Sequence, residues 1–390
     1  MKSITFVNLP SPFIEDQKWI YPLGILSVAT YAKSLGHHVE MLDLAGTNPV
    51  DFDDLIMGIE TDCIGVSAVT PQFDALRRIP MLTEKHLIAG GIHPTLFPKE
   101  VLQMGYDSVV VGEGEYVLVD AMNFDGVFRS DVPVRLDELP NVDRSMMSGY
   151  KGPLPVMAGR GCPFNCAFCA QACLPQWRTR EPGQISRELD ATGGNEFIFY
   201  DDTLTMREEW LACLCTYMVP AGWNARCSTR ADKLSVPVVK MLVDAGFTEI
   251  CIGVESGSQQ ILDNIKKHST VEINSKAIER CREHGINSKA FIMLGLPGES
   301  QETIRETHSW ILHNQPDSIG LYLFNPLPGC DIYSHPEKYD LQCERGNFQS
   351  RYYGGRREEM VSRVSTSKIS ADEITRWYHR FLLDFKGMIA

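Results

Sequence analysis

The sequence predicts an α/β protein made of two successive runs of alternating strands and helices. Over residues 1–130, short apolar runs each end in a turn rich in glycine or proline. Six further strand–helix units follow over residues 151–330. This order is typical of parallel sheets, and we expect a doubly wound, Rossmann-like sheet followed by a partial (β/α)6 barrel. Residues 131–150 are predicted to be a linker, and residues 331–390 a short helical C-terminal region.

The composition excludes some classes of protein and favours others. With 390 residues, of which 44% are hydrophobic and 22% charged, the chain has the length for two globular domains. No apolar run approaches the roughly 20 residues that cross a bilayer, so we expect no membrane span and a cytoplasmic location. A formal net charge of −13 disfavours nucleic acid as a partner. Most of the 12 cysteines lie alone in the sequence, which favours a reducing compartment.

The first domain is predicted to contain five strands whose turns meet at one edge of a sheet. The strands are predicted at residues 4–8, 38–43, 63–68, 87–91 and 106–111, and the helices at 22–35, 51–58 and 73–86. Doubly wound sheets bind their ligands beyond the carboxyl ends of the strands. The residues predicted to lie there are Leu9, Pro10, Ser67, Thr70, Gly90, Gly91, Gly112 and Glu113.

Three closely spaced cysteines stand at the start of the second domain. Cys162, Cys166 and Cys169 follow the pattern C-x3-C-x2-C, and an aromatic residue, Phe168, precedes the third. Three neighbouring thiolates can hold three corners of a cubic iron–sulfur cluster and leave one iron open to a small molecule. A tetrahedral zinc site would need a fourth ligand, which Cys173 could supply. Because the spacing does not match the paired C-x2-C arms of zinc sites, we predict the cluster.

The apolar run 154–158 is predicted to be the strand that leads into this cysteine loop. Five further strands are predicted at 196–200, 225–228, 249–254, 289–294 and 318–324. Helices are predicted at 183–191, 207–219, 236–245, 258–265, 271–284, 303–313 and 371–386. The active site of a barrel of this kind lies at the carboxyl ends of its strands.

Polar and glycine-rich residues follow these strands at the positions where a barrel binds its ligands. They are Asp201 and Asp202 after the second strand, Ser228 and Arg230 after the third, Glu255 after the fourth, and Gly295 and Pro297 after the fifth. The alternative for the acidic and serine residues is a structural one, since aspartate and serine also cap helices. Cys330 follows the sixth strand as a candidate catalytic thiol, and a small buried core residue is the alternative there.

The cysteine loop resembles the signature of the radical S-adenosylmethionine (SAM) superfamily, C-x3-C-x-aromatic-C. The phrases FYDDTLT, STRADKL, IGVESGSQ, FIMLGLPGES and FNPLPGC in the second domain are similar to the matching positions of cobalamin-type members of that superfamily. One departure is Cys330, where the family usually has threonine. The resemblance implies that Cys162, Cys166 and Cys169 bind a [4Fe–4S] cluster.

The same resemblance implies where SAM would lie. Asp201 or Asp202 would hold the ammonium group of its methionyl part, and Arg230 would clamp its carboxylate. Glu255 would accept hydrogen bonds from the two ribose hydroxyls. The bare backbone of the glycine turn after the fifth strand would approach the adenine.

The first domain resembles the cobalamin (B12)-binding domain that precedes many radical SAM barrels. The phrases that carry this resemblance are, in order, YPLGILSVATYAKSLGHHVEMLDL, IGVSAVTPQ, GGIHPT and VVVGEGE. The resemblance implies that the strand-end residues of the first domain bind cobalamin. The D-x-H-x-x-G motif, whose histidine ligates cobalt in other cobalamin proteins, is missing, and we interpret His93 as a turn histidine. A cobalamin-like fold without the cofactor is the alternative.

Together the two resemblances imply a radical SAM enzyme that cleaves SAM reductively at the cluster and releases a 5′-deoxyadenosyl radical. With cobalamin present, they imply methylation of an unactivated carbon in a small molecule or natural product. The alternatives are a radical rearrangement, cyclisation or oxidation without methyl transfer, and an iron–sulfur or zinc protein that binds without catalysis. An electron donor such as flavodoxin or ferredoxin is the partner that this chemistry implies.

Overall fold

The structure, a computed structural model, describes residues 2–11, 14–48, 50–170, 176–343 and 357–389. Within these ranges, the residues up to Pro153 form one compact unit, and those from Leu154 onward form a second. Each unit is built on its own six-stranded sheet, whose paired strands are all parallel. The predicted α/β class, with two successive parallel sheets, is confirmed.

The first unit is a doubly wound sheet with helices between its strands. Its strands are β1 Ser3–Asn8, β2 His38–Asp43, β3 Cys63–Ser67, β4 His86–Gly90, β5 Ser108–Val111 and β6 Gly126–Arg129. Its helices are α1 Leu23–Ser34, α2 Asp51–Met57, α3 Phe73–Arg78, α4 Ile92–Leu96, α5 Pro98–Gln103 and α6 Leu118–Asn123. The strand order β2-β1-β3-β4-β5-β6 reverses beside β1, so the switch point where such sheets bind ligands lies between β1 and β3.

Two apolar layers cover the two faces of this sheet. Ile4 and Phe6 of β1 pack in one layer with Ile25 of α1, whereas Val7 packs in the other layer with Phe52 of α2. This division follows from the geometry of a strand, in which successive side chains point to opposite faces. Because both faces are covered, the strands are continuous apolar runs rather than alternating ones. These runs allowed the strands to be predicted from the sequence.

The sequence missed the shortest elements of this unit. Strand β6 has four residues with alternating burial, and α4, α5 and α6 have five or six residues each. Segments of this length contain too few turns to show a helical or strand period. The segment around Pro80, predicted as one short helix, is α3 followed by a separate 3-10 turn at Ile79–Met81.

The segment that follows β6 packs against the first unit. Val134, Leu136 and Leu139 are buried there, and Tyr31 and Tyr116 pack against them. Its composition is rich in proline and aspartate, but these three apolar side chains give it a small core of its own. Residues 131–150 therefore lie with the first unit in this structure.

The second unit is a partial βα barrel followed by a C-terminal helix. Its strands are β7 Leu154–Val156, β8 Gly159–Arg160, β9 Arg178–Thr179, β10 Glu196–Phe199, β11 Asn224–Arg230, β12 Phe247–Glu255, β13 Asn287–Leu294, β14 Ser318–Leu323, β15 Gln342–Cys343 and β16 Val364–Ser365. Its helices are α7 Pro182–Thr192, α8 Glu208–Met218, α9 Val236–Asp244, α10 Gln259–Asn264, α11 Val271–Glu283, α12 Gln301–Asn314, α13 Asp331–Ser334 and α14 Ala371–Asp384.

The main sheet of this unit runs in the order β14-β13-β12-β11-β10-β7, and the short strands form the antiparallel pairs β8–β9 and β15–β16. Apart from the short pair β8–β9, which lies outside this sheet, the strands follow one another across the sheet in chain order, as in a βα barrel. Because they are all parallel, their six carboxyl ends lie at one edge. The C-terminal helix packs into the core of the unit through Ile374, Tyr378 and Phe381, and Ile389 pairs with Ile319 of β14. Of the helices described here, none is both long and apolar enough to cross a membrane.

Replacement of Gly91 tests the turn that follows β4. Gly91 has a φ of +95°, and a Cβ atom there would lie 2.7 Å from the carbonyl oxygen of Ala68. We expect Gly91→Ala to lower the free energy of unfolding by about 1–3 kcal/mol, because it combines an unfavourable backbone angle with a contact to rigid main chain. The matched control is Gly24→Ala inside α1, where a Cβ atom meets nothing within 4 Å. The control should be stabilising by about 0.5–1 kcal/mol.

Urea unfolding followed by circular dichroism measures both effects. Equal shifts of the midpoint in the two variants would contradict the close approach described for Gly91.

Candidate active site

The cysteine loop begins directly after β7, at the carboxyl edge of the second sheet. Gly159 opens it in the antiparallel pair with β9, where a Cβ atom would lie 2.6 Å from the carbonyl oxygen of Arg178. Cys162, Cys166 and Cys169 are partly exposed, and none of them forms a disulfide bond. The N–H of Cys169 donates to the carbonyl oxygen of Cys166 at 3.0 Å and closes a turn between them. The loop therefore presents its thiols at the edge where barrels bind ligands.

The backbone of Ala167 fixes the cysteine loop to two other parts of the unit. Its N–H donates to the carbonyl oxygen of Ile265 at 2.9 Å, and its own carbonyl oxygen accepts from the N–H of Ile332 at 3.1 Å. Ile265 follows α10, and Ile332 lies in α13. Ala167 is fully buried, and buried backbone groups are nearly always paired in this way. The loop is thus held from both sides at its centre.

Asp201 supports the strand that carries the loop. Its Oδ2 accepts from the N–H of Ala158 at 3.0 Å. Burial raises the pKa of Asp201 to about 7, although hydrogen bonds from neighbouring backbone N–H groups oppose the rise. Asp202, the next residue, is exposed. The predicted alternative of a helix cap is not realised, since Thr203 and Arg207 hold the N-cap positions of the next 3-10 helix and of α8.

The guanidinium group of Arg230 connects β11 to the cysteine loop. Its Nε donates to Oδ1 of Asp232 at 2.8 Å, and its Nη2 donates to the carbonyl oxygen of Lys267 at 2.7 Å. The group lies 3.8 Å from the centroid of the Phe164 ring, and Nη1 lies 3.7 Å from Sγ of Cys166. Arg230 is 4% exposed. A bidentate clamp on the SAM carboxylate, as predicted, would have to compete with these existing partners.

Glu255 ends β12 in an uncommon backbone conformation and forms a buried ion pair. Its φ is +66°, and its Oε1 accepts from Nζ of Lys267 at 2.6 Å. A Cβ atom on Gly253 would lie 2.6 Å from that oxygen and 2.7 Å from that nitrogen, so the pair requires glycine there. Nζ of Lys267 also lies 5.8 Å from the centroid of the Phe168 ring. The pair therefore borders the cysteine loop.

Sequence analysis missed Lys267 as a site residue. It follows helix α10 rather than a strand, and with Lys266 and His268 it forms a polar run that resembles a solvated loop. Lys267 is buried by contacts that form only when the whole unit folds, so the neighbouring sequence does not predict its burial.

The turn after β13 is held by a buried carboxylate. Gly295 has a φ of +95°, and its N–H donates to Oε2 of Glu299 at 2.6 Å. The carbonyl oxygen of Pro297 accepts from the side-chain amide of Asn264 at 3.1 Å. Glu299 is fully buried, and burial raises its pKa to about 8. The turn predicted to face the adenine thus has a fixed backbone.

Cys330 and Ser228 occupy different kinds of position. Cys330 is 1% exposed and belongs to the apolar core, and its Sγ accepts from the N–H of Tyr333 at the start of α13. These contacts favour the core alternative over a catalytic thiol. Ser228 is partly exposed and pairs in register with Cys251 of β12.

The strand-end residues of the first unit lie at the carboxyl edge of its sheet. In the register, Asn8 pairs with Ser67, and Ser67 pairs with Gly90. Gln72 joins the turns after β1 and β3, since its Nε2 donates to the carbonyl oxygen of Leu9 at 3.1 Å and its Oε1 accepts from the N–H of Val69 at 3.0 Å. The two turns at the switch point are therefore fixed to each other.

The turn after β5 completes this edge. Gly112 has a φ of +84°, and its N–H donates to Oγ1 of Thr95 at 2.9 Å. The side chain of Glu113 accepts from the N–H of Val134 at 3.0 Å. The edge consequently consists of fixed turns with glycine, which suits the close approach of a large planar cofactor. Gln72 and Thr95 lay outside the sequence prediction because they follow the turns rather than form them.

His93 lies in the core of the first unit. It is fully buried between the rings of Phe73 and Phe97, whose centroids lie 5.3 and 5.0 Å from that of the imidazole. Burial lowers the pKa of His93 to about 4. The interpretation of His93 as a turn histidine is therefore wrong, because His93 lies within α4 as a packed residue of the core.

Comparison with known families assigns both units. Residues 156–311 match the Radical SAM superfamily, and residues 17–121 match the B12 binding domain. The chain therefore contains a radical SAM domain preceded by a B12-binding domain. Its barrel accordingly implies a [4Fe–4S] cluster and SAM as cofactors, and its first domain implies cobalamin.

Solved structures share the fold of this radical SAM protein. The radical SAM methyltransferase TsrM from Kitasatospora setae, with cobalamin and a [4Fe–4S] cluster bound, gives a TM-score of 0.75 at 16% identity and covers 89% of this chain and 78% of its own. OxsB, a cobalamin-dependent SAM radical enzyme with aqua-cobalamin bound, gives a TM-score of 0.67 at 21% identity. The match covers 80% of this chain and 52% of the OxsB chain. At these identities the likeness shows the fold.

Curated relatives include a cyclase and methyltransferases. The anaerobic magnesium-protoporphyrin IX monomethyl ester cyclase of Rubrivivax gelatinosus is 26% identical over 368 residues, or 80% of this chain, and this chain spans 65% of that cyclase. The bacteriochlorophyllide d C-8(2)-methyltransferase of Chlorobaculum tepidum is 26% identical over 349 residues, which are 80% of this chain and 74% of that enzyme.

The residues of the cysteine loop fit the cluster that the superfamily implies. Thiolates are the usual ligands of iron–sulfur clusters. Burial raises the pKa of the Cys166 thiol, and the positive charges of Lys267 and Arg230 oppose that rise. These two cations would therefore stabilise a thiolate at this position once iron is bound.

Replacement of single cysteines tests which thiols hold the cluster. We expect Cys162→Ala, Cys166→Ala and Cys169→Ala each to lose most of the bound iron and sulfide after anaerobic reconstitution, because each removes one of three ligands. Cys213→Ala, which removes an exposed thiol on α8, is the matched control and should keep the wild-type iron content.

The same assay on Cys173→Ala separates an open cluster from a closed one. Cys173 lies outside the described residues. Loss of iron in Cys173→Ala as complete as in Cys166→Ala would contradict the open site, since four cysteines would leave no iron free for SAM.

Glu299 makes the stability of the protein depend on pH in a predictable direction. Burial raises its pKa from 4.5 to about 8, so the folded state holds the proton more tightly than the unfolded state. Between these pH values the free energy of unfolding should fall as pH rises, by at most about 1.4 kcal/mol per pH unit from this group. Glu299→Gln should flatten this part of the profile. Glu302→Gln on the exposed face of α12 is the control, and equal slopes for wild type and Glu299→Gln would disprove the assignment.

Proposed function

We propose that this protein is a cobalamin-dependent radical SAM enzyme that methylates an unactivated carbon of a small molecule or natural product. The observation that carries the proposal is the presence, in one chain, of a three-cysteine loop at the carboxyl edge of a radical SAM barrel and of a B12-binding domain before it. The methyltransferase names among its relatives support the reaction type.

Three thiols would hold the cluster, and the neighbouring strand ends would hold SAM. A bound cluster supplies the electron that breaks a carbon–sulfur bond of SAM and releases the 5′-deoxyadenosyl radical. We assign Cys162, Cys166 and Cys169 as its ligands. We assign the exposed carboxylate of Asp202, after β10, to the ammonium group of SAM. We assign the ion-paired Glu255, at the end of β12, to its ribose hydroxyls.

Two further strand ends would complete the SAM site. The partly exposed Ser228 offers a hydroxyl from β11, and the fixed turn from Gly295 to Pro297 offers bare backbone to the adenine. Arg230 has protein partners for Nε and Nη2, so we assign it the task of fixing the cysteine loop, with Nη1 directed at Cys166. Asp201 is assigned to the support of β7.

The carboxyl edge of the first sheet would hold cobalamin, which supplies a transferable methyl group when bound. The residues assigned to it are Leu9, Pro10, Ser67, Thr70, Gly90, Gly91, Gly112 and Glu113. The turn glycines support this assignment because they leave bare backbone at this edge for a cofactor to approach. At Gly91 even a Cβ atom would lie 2.7 Å from the carbonyl oxygen of Ala68, in the turn after β3. Because His93 is buried among aromatic rings, we propose that it does not ligate the cobalt.

A radical cyclisation or oxidation without methyl transfer is the second candidate. The observation that favours it is the cyclase relative, which aligns with 80% of this chain as the methyltransferase does. These relatives are named for magnesium-protoporphyrin and bacteriochlorophyllide, so we propose a tetrapyrrole as the first substrate class to examine.

A simple zinc-binding role fits the geometry less well. Among the described residues, one set of three candidate ligands has all its atoms within 4.8 Å of one another, namely His86, Asp107 and Asp125. The sulfurs of the cysteine loop do not form such a set, whereas tetrahedral zinc with bonds of about 2.3 Å would hold its thiolates closer than this. The wider spread favours a cluster with several iron atoms.

The partner and the compartment follow from the chemistry. Reductive cleavage of SAM needs a one-electron donor, and we propose a small electron carrier such as flavodoxin or ferredoxin. No cysteine in the described residues forms a disulfide bond, which supports a reducing compartment such as the cytoplasm.

Anaerobic reconstitution tests the proposed function. With reductant, iron, sulfide and cobalamin, we expect the protein to convert SAM to 5′-deoxyadenosine and to retain about one corrinoid per chain, with the absorption of cobalt that lacks a histidine ligand. Mass spectrometry of the SAM products, with and without cobalamin, is the measurement. Cys166→Ala is the control and should form no 5′-deoxyadenosine.

Two results would overturn parts of the proposal. Formation of 5′-deoxyadenosine without any bound corrinoid would exclude cobalamin-dependent methylation and favour the second candidate. Failure to cleave SAM despite a full complement of cluster iron would exclude the radical reaction altogether.

A further inference from the structure

Lys267 contacts two of the residues that were expected to bind SAM, namely Glu255 and Arg230. Its Nζ donates to Oε1 of Glu255 at 2.6 Å, and its carbonyl oxygen accepts from Nη2 of Arg230 at 2.7 Å. It is 5% exposed, and the flanking residues Lys266 and His268 have positive φ angles of +53° and +52°. The backbone is thus bent so that one buried side chain and one carbonyl group reach two strand ends.

The ion pair leaves one oxygen of Glu255 for a ligand. Oε1 is bonded to Lys267, whereas Oε2 accepts no hydrogen bond from any described residue, and the side chain keeps 9% exposure. The ammonium group of Lys267 compensates the burial of this carboxylate and fixes the position of Oε1. Carboxylate oxygens accept hydrogen bonds from hydroxyl groups, so Oε2 is an acceptor that a ligand can use.

We propose that Lys267 is a positioning residue for SAM: its ion pair with Oε1 fixes the Glu255 carboxylate so that Oε2 is directed toward the ribose hydroxyls. This inference rests on the proposed function, because it assumes that SAM lies at these strand ends. The positive φ of Glu255 and the glycine at position 253 belong to the same arrangement, since both allow Oε1 and Nζ to meet over the strand.

The side chain can be tested without disturbing the backbone contacts of the segment. Arg230 is bonded to the carbonyl group of Lys267, which every substitution retains. Lys266 provides a matched control, because it is the adjacent lysine and forms its ion pair with Asp331 at 3.0 Å on a more exposed part of the unit.

SAM affinity, measured anaerobically by equilibrium dialysis on protein with its cluster intact, decides the proposal. We expect Lys267→Gln to weaken SAM binding by about tenfold or more, with unchanged iron content, because the Glu255 carboxylate loses the partner that positions it for the ligand. Lys267→Arg keeps the charge and should stay within about threefold of wild type. Lys266→Gln should bind SAM as the wild type does.

A double-mutant cycle shows whether Lys267 acts through Glu255. Because the two residues form one unit, Glu255→Gln combined with Lys267→Gln should bind SAM no more weakly than Glu255→Gln alone. Additive losses would mean that Lys267 acts by another route, and would overturn the proposal. Full SAM affinity in Lys267→Gln, or an equal loss in Lys266→Gln, would overturn it as well.

Two variants keep the test decisive if Lys267→Gln does not retain its cluster. The neutral pair Glu255→Gln/Lys267→Gln can still form a hydrogen bond, and neutral replacement of both partners of a buried ion pair is often tolerated. If that pair keeps its iron and binds SAM as wild type does, or if Lys267→Arg with full iron loses affinity about tenfold, the proposal fails. Wild-type protein that holds a cluster but binds no SAM would refute the proposed function itself.

Discussion

A single desolvated cation, the guanidinium group of Arg230, holds together the parts of the barrel that meet at the cysteine loop. Burying a charge is costly unless it is paired and hydrogen-bonded, and this one has a carboxylate, a carbonyl group and an aromatic face around it. These partners come from the 3-10 turn that follows β11, from the segment after α10 and from the cysteine loop. Each of these three segments is therefore held in place by its contact with the guanidinium group of Arg230. The position of Cys166 follows, because Nη1 faces its sulfur.

The parallel order of the strands is what gathers the remaining groups. In both units the carboxyl ends lie at one edge, where turns with positive φ let the backbone approach closely. Buried side chains then fix those turns from below: Gln72 joins two turns in the first unit, and Glu299 holds the turn after β13 in the second. A rigid edge of this kind reduces the ordering that a ligand must impose when it binds.

Sequence analysis found the parts of this arrangement that depend on local pattern. The α/β class, the long strands and helices and the three-cysteine loop follow from periodicity and spacing, and the turn glycines from their place after strands. Lys267, Gln72 and Glu299 were missed because their importance comes from burial, which depends on contacts far along the chain. Lys267 meets Glu255 across 12 positions, and Gln72 meets Leu9 across 63. Arg230 was found, but its partners were not, so its expected contact with SAM now has to be weighed against contacts within the protein.

The charges around the cysteine loop occur in pairs, and their orientation matters more than their sum. Arg230 pairs with Asp232, and Lys267 pairs with Glu255, so the two cations and two carboxylates cancel in number. In both pairs the cation is the member that approaches the loop, since Arg230 reaches Cys166 and Lys267 lies near Phe168. Thiolates and a SAM carboxylate are anions, so the two cations beside the loop would favour their binding, while the paired carboxylates limit the cost of burying the cations. Removal of one member of a pair therefore changes the local charge, whereas removal of both members leaves the net charge unchanged. The electrostatic potential at the cysteine loop depends on which member of each pair lies nearer to the loop.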